Sequence, residues 1–409
     1  MRPFPIYAER GAGCRVWDVD GHEFIDCINN FTSMIHGYAH PKVNAAVVEQ
    51  LQLGSAFGLP TSTEISLAEL LCERLPAVER VRFTNSGTEA VMMALKAARA
   101  YTGRPKIAKI EGAYHGSYDY AEVSLDSQPT NWGAPDPASI AYARGTPRSV
   151  LEDVLVLPLN DIETARRRIA KCANDLAGVL IDPLPNRAGL IPATADFIEQ
   201  VAAFARNVGA LLIFDEVISF RLSFSGAQGL WGAAPDLTAL GKIIGGGFPI
   251  GAVGGRTEVM AVFDPTNGKP AVPHGGTFSA NPVSLRAGLA SMQLMQKQQY
   301  ERLDEIGAHV RARLNELFRR CGVRAQAVGK GSLLKVHFTD RPIHDYRSAY
   351  PSPQEARCLE VFNLGLLNHG VLAASYGLMA LSTVMTDKDV EEILVAAEHA
   401  VQNVSAVAS

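Results

Sequence analysis

Between about residues 60 and 280, short runs of β-branched and apolar residues alternate with stretches of helical periodicity. This rhythm constrains the fold more than any other property of the chain. Strands separated by helix-length segments do not close as hairpins; they lie parallel, with the helices crossing over the sheet faces. Residues 81–84 read as a strand and 89–101 as the helix that follows, closed by Gly103. Residues 178–182, 195–208 and 210–215 read as strand, amphipathic helix and strand, one βαβ unit. Before this region, residues 15–26 read as a hairpin, with roughly alternating arms and Asp20-Gly21 at the turn. After about residue 283 the pattern is helical through Phe318. A final α+β portion has strands near 333–338 and 371–374 and a helix over 388–401. The expectation is an α/β protein with a large domain over 51–290 around a mostly parallel central sheet. A smaller α+β domain is expected from both chain ends, 1–50 and 291–409.

Composition excludes several classes of function. A net charge of −4 with dispersed basic residues gives no electrostatic footprint for nucleic acid or an anionic membrane. No apolar run approaches a membrane span, and Met1-Arg2-Pro3-Phe4-Pro5 lacks the apolar core of a secretory signal. The six cysteines are scattered without a CxxC pair, so we expect a reduced, cytoplasmic protein with no disulfides. His36 and His40 have i,i+4 spacing, but Gly37 and Pro41 oppose a helix and no third ligand is evident. We read them as structural and assign no metal.

Four features carry chemistry. Lys242, the only lysine between Lys171 and Lys269, follows a run that packs both sides of a strand and precedes Gly245-Gly246-Gly247. Poor solvation there lowers the amine pKa, as attack on a carbonyl requires. Thr84-Asn85-Ser86-Gly87-Thr88-Glu89 joins strand to helix. Its hydroxyls and free amides fit a monophosphate or carboxylate, although alone it is an ordinary capped helix start. Asp215 ends a buried strand, where a carboxylate needs a cation or donor; a protonated pyridine nitrogen is one such partner. Tyr114, in Gly112-Ala113-Tyr114-His115-Gly116, is placed to stack on a flat ring. No GxxxxGK[ST] or strand-to-helix GxGxxG occurs, so nucleotide and dinucleotide readings are weak. Phosphate cradle, stacking aromatic, ring-nitrogen aspartate and amine together match the needs of a pyridoxal phosphate enzyme.

The chain also resembles a class III aminotransferase of the fold-type I pyridoxal phosphate superfamily, over nearly all its length. It is most like the branch holding glutamate-1-semialdehyde aminomutase and the β-phenylalanine-type aminotransferases. The resemblance rests on Val16-Trp17-Asp18-Val19-Asp20-Gly21, Gly37-Tyr38-Ala39-His40-Pro41, Phe83-Thr84-Asn85-Ser86-Gly87-Thr88-Glu89-Ala90 and Tyr114-His115-Gly116. Downstream it rests on Phe214-Asp215-Glu216-Val217, the run from Pro235 to Lys242, Ile250-Gly251-Ala252, and Gly276-Thr277-Phe278-Ser279-Ala280-Asn281-Pro282. The resemblance implies that Lys242 forms the Schiff base and shuttles the proton, and that Asp215 holds the pyridinium. It further implies that Ser86, Gly87 and Thr88 bind the phosphate, and that Tyr114 and Val217 take opposite ring faces. Thr277 would reach the phosphate in a neighbouring subunit, implying a homodimer with shared active sites. Glu216 and Asn186 would support the cofactor's hydroxyl and Schiff-base region.

Two departures bear on substrate. The family usually begins with a segment containing a carboxylate-binding arginine. This chain begins at what resembles the end of that segment, Arg2-Pro3-Phe4-Pro5-Ile6-Tyr7, so the expectation is that either the start is truncated or another cation, for instance Arg221, serves. Where the aminomutase places an acid, the stretch from Ala373 through Tyr376 to Ala380 carries none, and that pocket reads as aromatic and apolar. The expected activity is ping-pong transfer of an amino group from an apolar β- or aromatic amino acid to a 2-oxo acid. Rival readings are the intramolecular aminomutase, a racemase or decarboxylase on the same scaffold, and a non-enzymatic binding protein.

Overall fold

A computed structural model describes residues 5–408. Its centre is a seven-stranded sheet built from β4 (Arg80–Thr84), β5 (Lys106–Ile110), β6 (Val154–Leu157), β7 (Leu176–Ile181), β8 (Leu211–Asp215), β9 (Leu237–Gly241) and β10 (Gly251–Gly255). The spatial order is β4-β10-β9-β8-β7-β5-β6. Only β10 runs against its neighbours; the pairs from β9 to β6 are parallel. The expected βαβ unit is β7, the helix Ala195–Asn207 and β8, with Ile181 paired to Phe214.

Both faces of this sheet are covered, and the two-residue period of a strand shows in how it is done. On β8, Leu211 and Ile213 pack into one apolar cluster with Ala90, Ala94, Leu95 and Ala98 of the helix Gly87–Thr102. Leu212 and Phe214 point the other way, into a cluster with Phe197, Ile198 and Val201. A strand buried on both faces reads as continuously apolar, which is why β7 and β8 stood out in the sequence. The glycine-rich β10 did not. Its Gly251 lies so close to Ser86 that an added Cβ would sit 2.0 Å from that residue's carbonyl oxygen, so packing rather than strand propensity determines the residue.

The chain ends meet elsewhere. The strands β1 (Ala8–Ala12), β2 (Arg15–Asp18) and β3 (Glu23–Asp26) form a meander with Asp20-Gly21 at the second turn. The C-terminal strands are β11 (Gln326–Val328), β12 (Leu333–His337), β13 (Val371–Leu372) and β14 (Leu378–Ala380). β13 adds in parallel to β3, pairing Val371 with Ile25, whereas β14 pairs with β12. Arg15 reaches Asp389 at 2.7 Å and Glu392 at 2.8 Å in the last helix. Among the described residues, no helix is long and apolar enough to cross a membrane.

One packing contact locates the functional turn. The helix Pro282–Leu294 lies against residues 242–245, and a Cβ on Gly288 would fall 1.9 Å from the carbonyl oxygen of Ile244. Overpacking of this kind costs about 1–3 kcal/mol. Gly288→Ala is therefore expected to lower the denaturation midpoint. An unchanged midpoint would refute this account of the contact.

Candidate active site

The C-terminal ends of β4, β8 and β9 share one edge of the sheet with the start of β10. Gly251 pairs with both Gly241 and Thr84, and Asp215 lies opposite Ala239. At this edge opens a cavity of about 390 Å³, the usual ligand position in open α/β sheets. Its lining brings together Lys242, Asp215, Ser86, Gly87, Thr88, Tyr114 and Val217, residues drawn from well-separated parts of the sequence.

Lys242 is the first residue after β9 and adopts φ +50°, a left-handed conformation costly for a residue with a Cβ. The strain turns the side chain out of the strand path at the mouth of the cavity. Its amine has no hydrogen-bond partner among the described residues. Burial pulls its pKa below the ordinary 10.5, against the opposing pull of Asp215 and Asp182.

Asp215 is 4% exposed. One carboxylate oxygen accepts the Val217 amide at 2.9 Å, and the other meets His115 Nδ1 at 2.7 Å. Burial holds the His115 pKa below its usual 6.5 despite Asp215, so the ring is neutral. The bond to the carboxylate then assigns its proton to Nδ1. Asp182, at the end of the neighbouring strand, is pushed well above the ordinary carboxylate range by burial and then by Asp215, so it keeps its proton. Asp215 is left as a buried carboxylate with donors but no cation of its own, beside space for a ligand.

The helix start of Gly87–Thr102 suits a phosphate. Ser86 Oγ accepts the Glu89 amide at 3.1 Å, and Thr88 Oγ1 accepts the Ser117 amide at 3.2 Å. With those lone pairs engaged, both hydroxyls keep their O–H to donate. A Cβ on Gly87 would lie 2.8 Å from Val217, so only glycine leaves this cradle open. These donors, the aromatic Tyr114 and Asp215, whose partners are an amide and a neutral histidine, fit pyridoxal phosphate.

The sequence reading missed part of the lining. His115 and Asp182 were legible in principle, one beside Tyr114 and the other ending a strand just as Asp215 does. Asn30 and Ser33 had no such signal. They are delivered by four consecutive left-handed residues, with φ of 52°, 46°, 51° and 75° from Asn29 to Thr32.

Other expected residues lie elsewhere. Arg221 is 1% exposed, and its guanidinium is occupied by Ser332 Oγ (2.9 Å), Thr32 O (2.8 Å) and Leu381 O. It therefore clamps the left-handed turn and is not free for a substrate carboxylate, which corrects the expectation. Glu216 is corrected likewise. Its carboxylate accepts the amides of Ala227 (2.6 Å) and Gln228 (3.0 Å) and does not line the cavity. Asn186 lies just outside, donating to Tyr376 Oη at 3.3 Å, and Tyr376 lines a second cavity instead. Thr277 is exposed and outside this chain's cavity. Residues 2–4 of the arginine-bearing start lie outside the described residues. Both nitrogens of His36 are taken, by Thr383 Oγ1 at 2.8 Å and Ser291 O at 3.0 Å, as a structural histidine requires.

Comparison with known proteins agrees with this geometry. Residues 1–401 match the class-III aminotransferase family. A glutamate-1-semialdehyde 2,1-aminomutase from Heliobacterium modesticaldum is 38% identical over 98% of this chain and 91% of its own length. An omega-transaminase from Sphaerobacter thermophilus superposes with a TM-score of 0.97 at 49% identity, covering 99% of this chain and 92% of that one. A beta-phenylalanine aminotransferase from Variovorax paradoxus gives 0.88 at 36% identity, with 99% and 89% covered. The lysine, the buried aspartate and the helix start at Gly87 thus stand in the fold that known aminotransferases share, and the chain belongs to the class-III aminotransferases, pyridoxal phosphate-dependent enzymes of fold type I.

Proposed function

We propose that this aminotransferase takes its amino group from an apolar β- or aromatic amino acid and passes it to a 2-oxo acid by a ping-pong route. The carrying observation is the cavity wall above Lys242. Apart from Tyr114 and Val217, which face the coenzyme ring, Ile218, Phe248, Pro249 and Ile250 line it, and among the described residues its only acids are Asp182 and Asp215. An apolar side chain is favoured there, and a second amino group finds no further carboxylate to pair with. The likeness to an omega-transaminase and a beta-phenylalanine aminotransferase supports the same reading. The aminomutase reading has its own support in the identity to proteins of that name.

Pyridoxal phosphate, when bound, supplies the electron sink for breaking the bond to the substrate hydrogen. In our reading Lys242 provides the covalent anchor and then, as a neutral amine, takes and returns that proton. Asp215 keeps the ring nitrogen protonated, and His115 holds Asp215 in place. Ser86, Gly87 and Thr88 bind the phosphate, Tyr114 and Val217 close on the ring, and Asn186 stands behind them. Thr277 would complete the phosphate site of a second copy. Exposed apolar residues on nearby segments, including Leu59, Ile65 and Phe278 beside Thr277, support such a homodimer. The free cysteines are in keeping with a cytoplasmic setting.

Lys242→Ala is expected to abolish the visible band of covalently held coenzyme and to cut turnover by about 10²–10⁴-fold or more. Because the neutral amine is the reactive form and burial lowers its pKa, covalent capture of coenzyme should rise with pH and level off below pH 10.5. A rise continuing to pH 10.5 and beyond would contradict the burial argument. His115→Ala removes a hydrogen bond to a charged group, worth about 1.5–3 kcal/mol. Coenzyme should then dissociate about ten- to a hundredfold more readily, read by equilibrium dialysis against absorbance.

Donor choice separates the two readings. Apolar amino acids added singly should bleach the coenzyme band, and only an added 2-oxo acid should restore it. Conversion of glutamate-1-semialdehyde with no external oxo acid would replace our reading with the aminomutase one.

A further inference from the structure

A second cavity, of about 260 Å³, lies beyond Tyr376 and shares no lining residue with the Lys242 cavity. Its charge is unbalanced. Lys335 on β12 is 8% exposed, and its amine reaches one acceptor, the uncharged carbonyl of Asn186 at 3.1 Å. Arg187, partly buried, has no hydrogen bond or ion pair among the described residues. Both cations approach the Tyr376 ring, at 5.6 and 5.5 Å from its centroid.

The other charged groups of the lining do not offset them. Arg341 and Glu355 pair with each other at 2.5 and 3.0 Å, and Asp126 is exposed. His337 bonds Gly189 O at 2.9 Å and is held neutral, its pKa pulled down to about 4 by burial and then by Lys335. Burial and then Arg187 bring Lys335 down to about 7. The Arg187 guanidinium and a Lys335 amine that burial leaves ready to take up a proton face one small cavity with no anion between them, an arrangement that an anionic ligand stabilises. A guanidinium fork beside an ammonium suits a planar carboxylate.

We propose that this cavity binds a small organic carboxylate across Arg187 and Lys335. Asn186 links it to the first cavity: its carbonyl accepts Lys335, its amide holds Tyr376, and it lies four residues after Asp182. The carboxylate has two sources, the acceptor acid itself or a free acid bound alongside. The first rests on the aminotransferase reading; the binding site does not.

The test is calorimetric titration of the holoenzyme with succinate, for wild type, Arg187→Gln, Lys335→Met and Lys242→Ala. Wild type and Lys242→Ala should bind alike. Arg187→Gln and Lys335→Met should bind about tenfold or more weakly, the loss expected on removing a hydrogen bond to a charged group. Melting temperature checks that each variant folds, coenzyme absorbance adds the same check for Arg187→Gln and Lys335→Met, and the partly exposed Arg187 reads the site even if Lys335→Met does not fold. KM for 2-oxoglutarate rising about tenfold in Arg187→Gln, with pyruvate and kcat unchanged, assigns the carboxylate to the acceptor. Lost succinate binding with both KM values unchanged assigns it to a free acid. No binding by wild type, or equal binding by wild type and Arg187→Gln, overturns the proposal. Absence of turnover with every acceptor would refute the aminotransferase reading alone.

Discussion

A buried carboxylate that lacks a cation of its own organises this molecule. Asp215 sits at the end of a strand packed on both faces, where a charge is expensive unless it is met. The protein supplies two donors, the Val217 amide and His115, but keeps the histidine neutral, so the negative charge persists and faces the cavity. Asp182, a few ångströms of sheet away on the neighbouring strand, takes the opposite state and holds its proton. Two aspartates at equivalent strand ends thus differ, because burial and then the neighbouring Asp215 raise Asp182 well above the ordinary carboxylate range.

Around that charge the backbone is strained where function needs a side chain displaced. Lys242 leaves its strand in a left-handed conformation, held from behind by the helix that carries Gly288. The turn from Asn29 to Thr32 is left-handed throughout, and Arg221 grips its last carbonyl from the core. Such conformations persist only where the surrounding structure over-determines them. A buried guanidinium satisfying carbonyls of two distant segments is one such determinant, and it explains why this arginine is unavailable to substrate.

Legibility followed the range of the interaction. The strand–helix pair at β4 and the unit from β7 to β8 could be read because their signals are local: apolar period, capping hydroxyls, a terminal glycine. Ser86 caps its helix and Gly103 closes it in a left-handed conformation, as their residue types require. Strand β10 and the pairing of β14 with β12 were not read, since glycine-rich or two- to three-residue strands carry little local signal and are held by neighbours.

The candidate site divides in the same way. Lys242, Asp215, Ser86, Gly87, Thr88, Tyr114 and Val217 announce themselves by chemistry at strand ends and by motif, so sequence alone pointed to residues that one cavity brings together and to the coenzyme they suit. Which polar groups are free to act was decided only in three dimensions. Arg221 and Glu216 have the right chemistry for a ligand, but buried carbonyls and amides occupy them. Arg187 and Lys335, unremarkable in sequence, are left facing one cavity with no carboxylate paired to either among the described residues. A residue's type sets what it can bond, but only the packed chain decides whether that capacity is already used.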